Sequence, residues 1–303
     1  MDDGARSMSG KICLVTGATS GIGAATALAL ARKGATVVGV GRSPERCAAG
    51  AARIMSATGN SSVEFLLADL SVQEEIRALS RRFQERYRRL DLLVNNAGAR
   101  FSSRMLSRDG YEMTLALNHL GYFLLTLLLL DRLKDAGRSR VVNVASAAHR
   151  SCRGIDFDDL QSERSYDGKA AYAQSKLANL LFSYELARRV TGTGITVNAA
   201  APGNVLTRFS RNNGWFGWLG HIAGSLKSGS LAGAARGAET VLFLACAPEL
   251  EGRSGGYFSK KRQAPSSAAS YDGAAAERLW RESLELTGLQ SARCSGISGG
   301  GAP

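Results

Sequence analysis

Between residues 11 and 33 the chain passes from a short apolar run through a glycine turn into an Ala/Leu-rich helical pattern. The run is Lys11-Ile12-Cys13-Leu14-Val15, and Thr16-Gly17 ends it. The turn is Gly17-Ala18-Thr19-Ser20-Gly21-Ile22-Gly23, and the amphipathic segment after it runs to Lys33. A strand that turns on glycines into a helix brings bare backbone and unpaired N–H groups to one point, as a pyrophosphate requires. The spacing Gly17-xxx-Gly21-x-Gly23 differs from GxGxxG, and no Lys-Ser/Thr follows to make a Walker loop. A plain βα turn is the competing reading of the glycines alone.

The next segments repeat the same alternation. Strands are expected at 35–40, 63–67, 92–94, 141–145, 195–199 and 255–258. Helices are expected at about 44–58, 72–87, 109–134, around Tyr172, 230–247 and 271–286. Strands alternating with helices predict an α/β fold, a single-domain doubly wound parallel sheet with helices on both faces. Ligands bind such sheets at the carboxyl ends of the strands. Gly17, Arg42, Asp69, Asn95, Ser146 and Pro202 all fall at those ends. Arg42 stands where an acidic residue would hold the ribose 2′-hydroxyl of NAD, and a guanidinium suits a 2′-phosphate. NADP(H) is therefore expected over NAD(H).

Tyr172 and Lys176 lie four apart, on one face of a helix. An ammonium near a phenol favours the phenolate, so the pair reads as a proton donor and acceptor. The same spacing also describes an ordinary solvated helix face.

Bulk properties narrow the class. The formal charge of +12 comes from dispersed basic residues, many of them Arg between positions 77 and 89. That pattern is read as a solvated surface, and no nucleic-acid partner is expected. Five scattered cysteines without a CxxC are read as reduced thiols in a cytoplasmic protein, with no metal site. No uncharged apolar run reaches the length of a membrane span. Residues 1–9 are expected to be a disordered arm and 288–303 a disordered tail, with the domain between them over 10–287. Trp215, Phe216 and Trp218 lie in a Gly/Ser-rich stretch, 203–229. It reads as a lid over an apolar substrate, a flap packed against the protein or a partner subunit, or a weak membrane-surface contact.

Taken together, Thr16-Gly-Ala-Thr-Ser-Gly-Ile-Gly23, Asn95-Asn-Ala-Gly98, Asn118, Ser146, Tyr172-xxx-Lys176 and Pro202-Gly203 resemble the short-chain dehydrogenase/reductase family. Leu117-Asn-His-Leu-Gly-Tyr-Phe-Leu-Leu-Thr126, Ala148-His149 and Ser175-Lys-Leu-Ala-Asn179 look most like its retinol dehydrogenase-like branch. The resemblance implies hydride transfer between NADP(H) and a carbonyl or alcohol of a bulky apolar substrate, retinoid-, steroid- or polyketide-like. It implies Tyr172 as acid-base, Ser146 as donor to the reacting oxygen, Lys176 lowering the Tyr172 pKa and binding ribose, and Asn118 holding a water. It implies cofactor contacts from Gly17, Ser20, Gly21, Ile22, Gly23, Asp69, Leu70, Asn96, Ala97, Gly98, Pro202, Gly203, Val205 and Thr207. A homodimer or homotetramer is also implied. His149, three residues past Ser146, is read as structural or pocket-lining because the set of four is complete without it. The alternative is a non-catalytic NADP-binding sensor or scaffold on the same fold, although such proteins usually lose the Tyr or the Lys.

Overall fold

The computed structural model describes residues 7–202 and 229–289. Gly203, Val205, Thr207 and the aromatic stretch 203–228 lie outside the described residues, as do 1–6 and 290–303.

The first half alternates as expected: β1 (Ile12–Thr16), α1 (Gly21–Arg32), β2 (Thr36–Gly41), α2 (Pro44–Thr58), β3 (Val63–Leu67), α3 (Gln73–Arg86) and β4 (Leu92–Asn95). Short helical pieces α4 (Met113–Leu115), α5 (Gly121–Leu128) and α6 (Leu130–Lys134) follow. Then come β5 (Ser139–Val144), α7 (Gly168–Arg189), β6 (Ile195–Ala201), α8 (Gly229–Cys246), β7 (Gly256–Ser259), β8 (Arg262–Gln263) and α9 (Gly273–Leu286). The sheet order is β3-β2-β1-β4-β5-β6-β7-β8. Pairings are parallel through β7, while β8 pairs antiparallel with β7.

Strands buried on both faces are continuously apolar, because helices cover each side. Successive β1 residues show the division. Leu14 packs with Ile76, Phe83, Phe123 and Trp280 on one face. Cys13 and Val15 pack with Leu30, Ile54 and Val241 on the other. Local chemistry sets the helix ends. Ser43 accepts a hydrogen bond from Arg46 N–H with Pro44 at the start of α2, and Gly59 ends that helix at φ 68°. Asp167 caps α7 by accepting from the N–H groups of Lys169 and Ala170.

Four expectations need correction. The single helix over 109–134 is broken. Gly110 takes φ 81° in a turn closed by Ser107 and Tyr111, and Glu112 caps the start of α4. A π-helical stretch, Ala116–Leu120, then separates α4 from α5. At Gly121 the helix lies against the end of β3, where a Cβ would stand 2.6 Å from the Leu70 carbonyl oxygen. Second, the antiparallel β8 was not foreseen, since two residues carry no periodicity. Third, residues 268–271 form a 3₁₀ turn, and the terminal helix begins at Gly273. Fourth, Met8 and Leu289, assigned to the arm and the tail, are buried in the two main cores. Met8 N–H also donates to the Lys33 carbonyl at 3.0 Å. No helix among the described residues is long and apolar enough to cross a membrane.

Candidate active site

The carboxyl ends of β1, β2, β3, β4 and β5 open into a cleft of about 450 Å³. Along its floor runs the glycine turn. Gly17 adopts φ 66° and Gly21 φ 57°, conformations that favour glycine. A Cβ on Gly23 would overlap the Gly17 carbonyl oxygen and stand 2.9 Å from the Gly17 carbonyl carbon. Ser20 precedes α1 in extended conformation without capping it through its side chain. The N-terminus of α1 is thus left for a ligand with negative charge.

The turn is latched to the neighbouring strand. Thr16 Oγ1 accepts from the N–H groups of Asn96 at 2.8 Å and Ala97 at 3.0 Å. Asn96 Nδ2 returns a hydrogen bond to the Thr16 carbonyl at 2.8 Å. Asn96, Ala97 and Gly98 therefore line the cleft directly beside Gly17. Asn95 points the other way. Its amide donates to Thr126 Oγ1 and Asn143 Oδ1, both at 2.9 Å, inside the buried core.

At one end of the cleft, Gly41 and Arg42 follow β2, with Arg46 on the first turn of α2. Arg42 and Arg46 are exposed, and two guanidiniums beside a ribose-sized space suit a phosphate. Arg46 was not singled out from sequence. Its signal was the i,i+4 spacing from Arg42 across the Ser43-Pro44 helix start. Asp69 and Leu70 line the same end. The Asp69 carboxylate accepts from Ser71 N–H at 3.0 Å and Ser71 O–H at 2.7 Å, so it shapes the turn after β3.

At the other end, Ser146, Tyr172 and Lys176 line the cleft together with Pro202. The Ser146 hydroxyl favours the ionised form of Tyr172. It also caps the following turn by accepting from Ala148 N–H at 3.2 Å. Burial pushes the Tyr172 phenol up to about 12, against the pull of the Ser146 hydroxyl and the Arg100 charge. Burial pulls the Lys176 ammonium down to about 7. Lys176 Nζ lies 5.7 Å from the Tyr172 ring centroid and donates to the Val144 carbonyl at 2.9 Å. The lysine is itself desolvated, and Ser146 and Arg100 supply the offset. Arg100, two residues past Gly98, carried no recognisable sequence signal.

Asn118 sits behind these groups with no exposed surface. Its Oδ1 accepts from Ala99 N–H at 2.9 Å, and its Nδ2 donates to the Ala99 carbonyl at 2.9 Å and Ser175 Oγ at 3.0 Å. Both amide hydrogens and one Oδ1 lone pair are thus engaged within the protein. No cluster of metal-ligating side chains occurs among the described residues.

A nicotinamide dinucleotide fits these residues on three structural grounds. Glycines let the turn close where no Cβ fits, an uncapped helix start faces the cleft, and two arginines line it.

Comparison with known proteins agrees with this geometry. Residues 11–214 match the family model described as short chain dehydrogenase. The chain is 43% identical over 290 residues to human (Homo sapiens) retinol dehydrogenase 13, covering 93% of this chain and 86% of that protein. It is 42% identical over 281 residues to Mus musculus retinol dehydrogenase 12, covering 93% and 87%. Among solved structures, an uncharacterized protein from Mycobacterium Paratuberculosis superposes with a TM-score of 0.75 at 32% identity, covering 92% of this chain and 94% of that one. The Pseudomonas aeruginosa RhlG/NADP active-site complex superposes with a TM-score of 0.63 at 28% identity, covering 88% and 99%.

Proposed function

The chain belongs to the short-chain dehydrogenase family, and from that premise we propose that it is an NADP-dependent oxidoreductase acting on the carbonyl or alcohol group of a bulky apolar substrate. The observation that carries the reading is that Ser146, Tyr172 and Lys176 line one cleft with the glycine turn, Arg42 and Arg46. The names of its relatives, retinol dehydrogenases, support an apolar alcohol or aldehyde. The NADP complex of a structural neighbour supports the phosphorylated cofactor.

When bound, the dinucleotide supplies or accepts the hydride. Tyr172 gives its proton to the substrate oxygen in reduction and takes it back in oxidation. Ser146 Oγ donates a hydrogen bond to that oxygen and steadies the charge that gathers there. Lys176, buried beneath Tyr172, completes the set once ligand oxygens offer it partners beyond Val144. Gly17, Ser20, Gly21, Ile22 and Gly23 bind the pyrophosphate region, with Asn96, Ala97, Gly98, Asp69, Leu70 and Pro202 around it. Arg42 and Arg46 bind the 2′-phosphate. In the non-catalytic alternative, Tyr172 and Lys176 would have no work, yet Lys176 is buried and Tyr172 half-buried, and both line the cleft.

The test pairs a substrate panel with cofactor titration. Tyr172→Phe is expected to lower turnover by about 10² to 10⁴ while leaving NADPH affinity nearly unchanged. Retention of most activity by that variant, with a verified substrate, would falsify the mechanism. Arg42→Ala and Arg46→Ala are expected to weaken NADPH and spare NADH. Equal binding of NADPH and NADH by the wild type removes the arginine assignment and leaves the oxidoreductase.

A further inference from the structure

Ser146 donates its chemistry through its hydroxyl, but its backbone carbonyl is held just as firmly. That carbonyl accepts from His149 N–H at 3.2 Å and pairs with His149 Nδ1 at 2.6 Å. The ring lies on the short 3₁₀ turn Ala147–Ser151 and has no exposed surface. Its other nitrogen, Nε2, is 3.1 Å from Ser267 N–H. A backbone N–H only donates, so Nε2 must be the acceptor. Nδ1 then carries the proton and donates to the Ser146 carbonyl. The protein around the ring fixes the tautomer.

On the Ser267 side, the preceding residue is firmly held. Ser266 N–H donates to the Tyr271 hydroxyl at 2.9 Å, and Ser266 Oγ lies 2.8 Å from the Tyr184 hydroxyl. Tyr184 stands on α7, the helix that carries Tyr172 and Lys176. The Tyr184 and Tyr271 rings stack at 5.5 Å. Tyr257 of β7 packs edge-on to the His149 ring at 5.2 Å. The imidazole therefore ties the turn holding Ser146 to a segment anchored on the tyrosine helix.

We propose that His149 is a positioning residue that sets Ser146 relative to Tyr172, acting as a neutral Nδ1–H imidazole clamped between the Ser146 carbonyl and the Ser267 amide. The inference rests on the reading of Ser146 as donor to the substrate oxygen. A hydroxyl carried on a five-residue turn drifts easily, and misplacement by about 1 Å can cost about a hundredfold in rate.

Two measurements test it. Nitrogen-15 NMR of histidine-labelled wild-type protein, with three histidines to assign, should show that the ring whose signal is lost in His149→Asn is neutral and protonated on Nδ1. If that ring is protonated on Nε2, or titrates freely, the inference is overturned without any reference to activity. In the second, His149→Leu should lower kcat by about tenfold to a hundredfold with NADPH affinity unchanged. His149→Asn, whose Nδ2 can still donate to the Ser146 carbonyl, should recover most of that loss. An active wild type with an unimpaired His149→Leu variant overturns the positioning role alone. A wild type that binds NADPH and turns over nothing in the panel overturns the oxidoreductase reading, and the Ser146 role with it. Should His149→Leu fail to fold, the NMR tautomer and the His149→Asn rates still decide.

Discussion

Replacing Asn118 with alanine should cost the fold before it costs the chemistry. The side chain satisfies both backbone groups of Ala99, at 2.9 Å each, and adds a bond to Ser175 Oγ at 3.0 Å. Ala99 and Asn118 are both buried. Truncation orphans the Ala99 N–H and C=O, while Ser175 keeps its 2.8 Å bond to the Tyr172 carbonyl. Each orphaned buried group costs about 1–3 kcal/mol, giving a loss of about 2–6 kcal/mol. The lower end applies if water enters the space the amide leaves. Against a typical domain stability of about 5–15 kcal/mol, that is a large fraction. Ala99 continues directly from Asn96–Gly98, so dinucleotide affinity should fall in parallel. Urea unfolding followed by intrinsic fluorescence reads the first effect, and NADPH titration of the folded variant reads the second. Ser175→Ala is the control, since it leaves Ala99 satisfied and should cost about 1 kcal/mol. A stability loss under about 1 kcal/mol for Asn118→Ala, with turnover abolished, would refute the clamp and return the residue to a purely chemical role.

Gly23→Ala should weaken dinucleotide binding by about tenfold or more, since the new Cβ meets the Gly17 backbone and forces the turn open. Calorimetric titration checks it, and unchanged affinity means the turn is not the binding floor. His119 is buried, and desolvation holds its pKa down at about 4. The unfolded chain takes up its proton near 6.5, so stability is complete above that pH and is lost as pH falls toward 4, by about 3 kcal/mol. His119→Phe should flatten that slope in acid titrations monitored by circular dichroism, and an unaltered slope assigns the acid sensitivity elsewhere. Asp91→Ala removes a buried carboxylate that accepts from Ile12 N–H at 2.9 Å, Lys11 Nζ at 3.0 Å and Arg89 Nε at 3.2 Å. It should cost about 2–4 kcal/mol and leave NADPH affinity untouched, because it lies at the amino end of β4, away from the cleft. Weakened NADPH binding would contradict that separation.

The alternation of strands and helices was plain in the sequence because buried parallel strands are uniformly apolar and helices keep a 3.6-residue rhythm. The same rhythm hid the π stretch at Ala116–Leu120, where apolar residues recur on both sides of Asn118-His119 from Leu115 to Leu130. What breaks the helix there is tertiary: Asn118 turned toward Ala99, and Gly121 against the Leu70 carbonyl. The cleft residues from Gly17 to Lys176 were readable because each sits at a strand end or one helical turn away. Arg46 and Arg100 were not, since a lone arginine gains meaning only from what the fold sets opposite it. The surroundings of Tyr172 and Lys176 were not readable for a related reason. Spacing shows that two side chains share a face, and says nothing of how deeply both are buried or whether a Val144 carbonyl competes for the lysine.

The Thr16–Asn96 latch spans 80 residues of chain. Its consequence concerns the order of events in folding. β1 and the glycine turn emerge first, yet the wall that shapes the turn comes with β4, after β2 and β3 have been laid on the opposite side of β1. Closing such a long loop is entropically slow, and parallel pairing at this separation delays the structure that depends on it. The first three strands by themselves thus lack the partner that holds the nucleotide floor in shape. A growing chain acquires its cofactor site abruptly, when the fourth strand docks, and a fragment ending before Leu92 should have none.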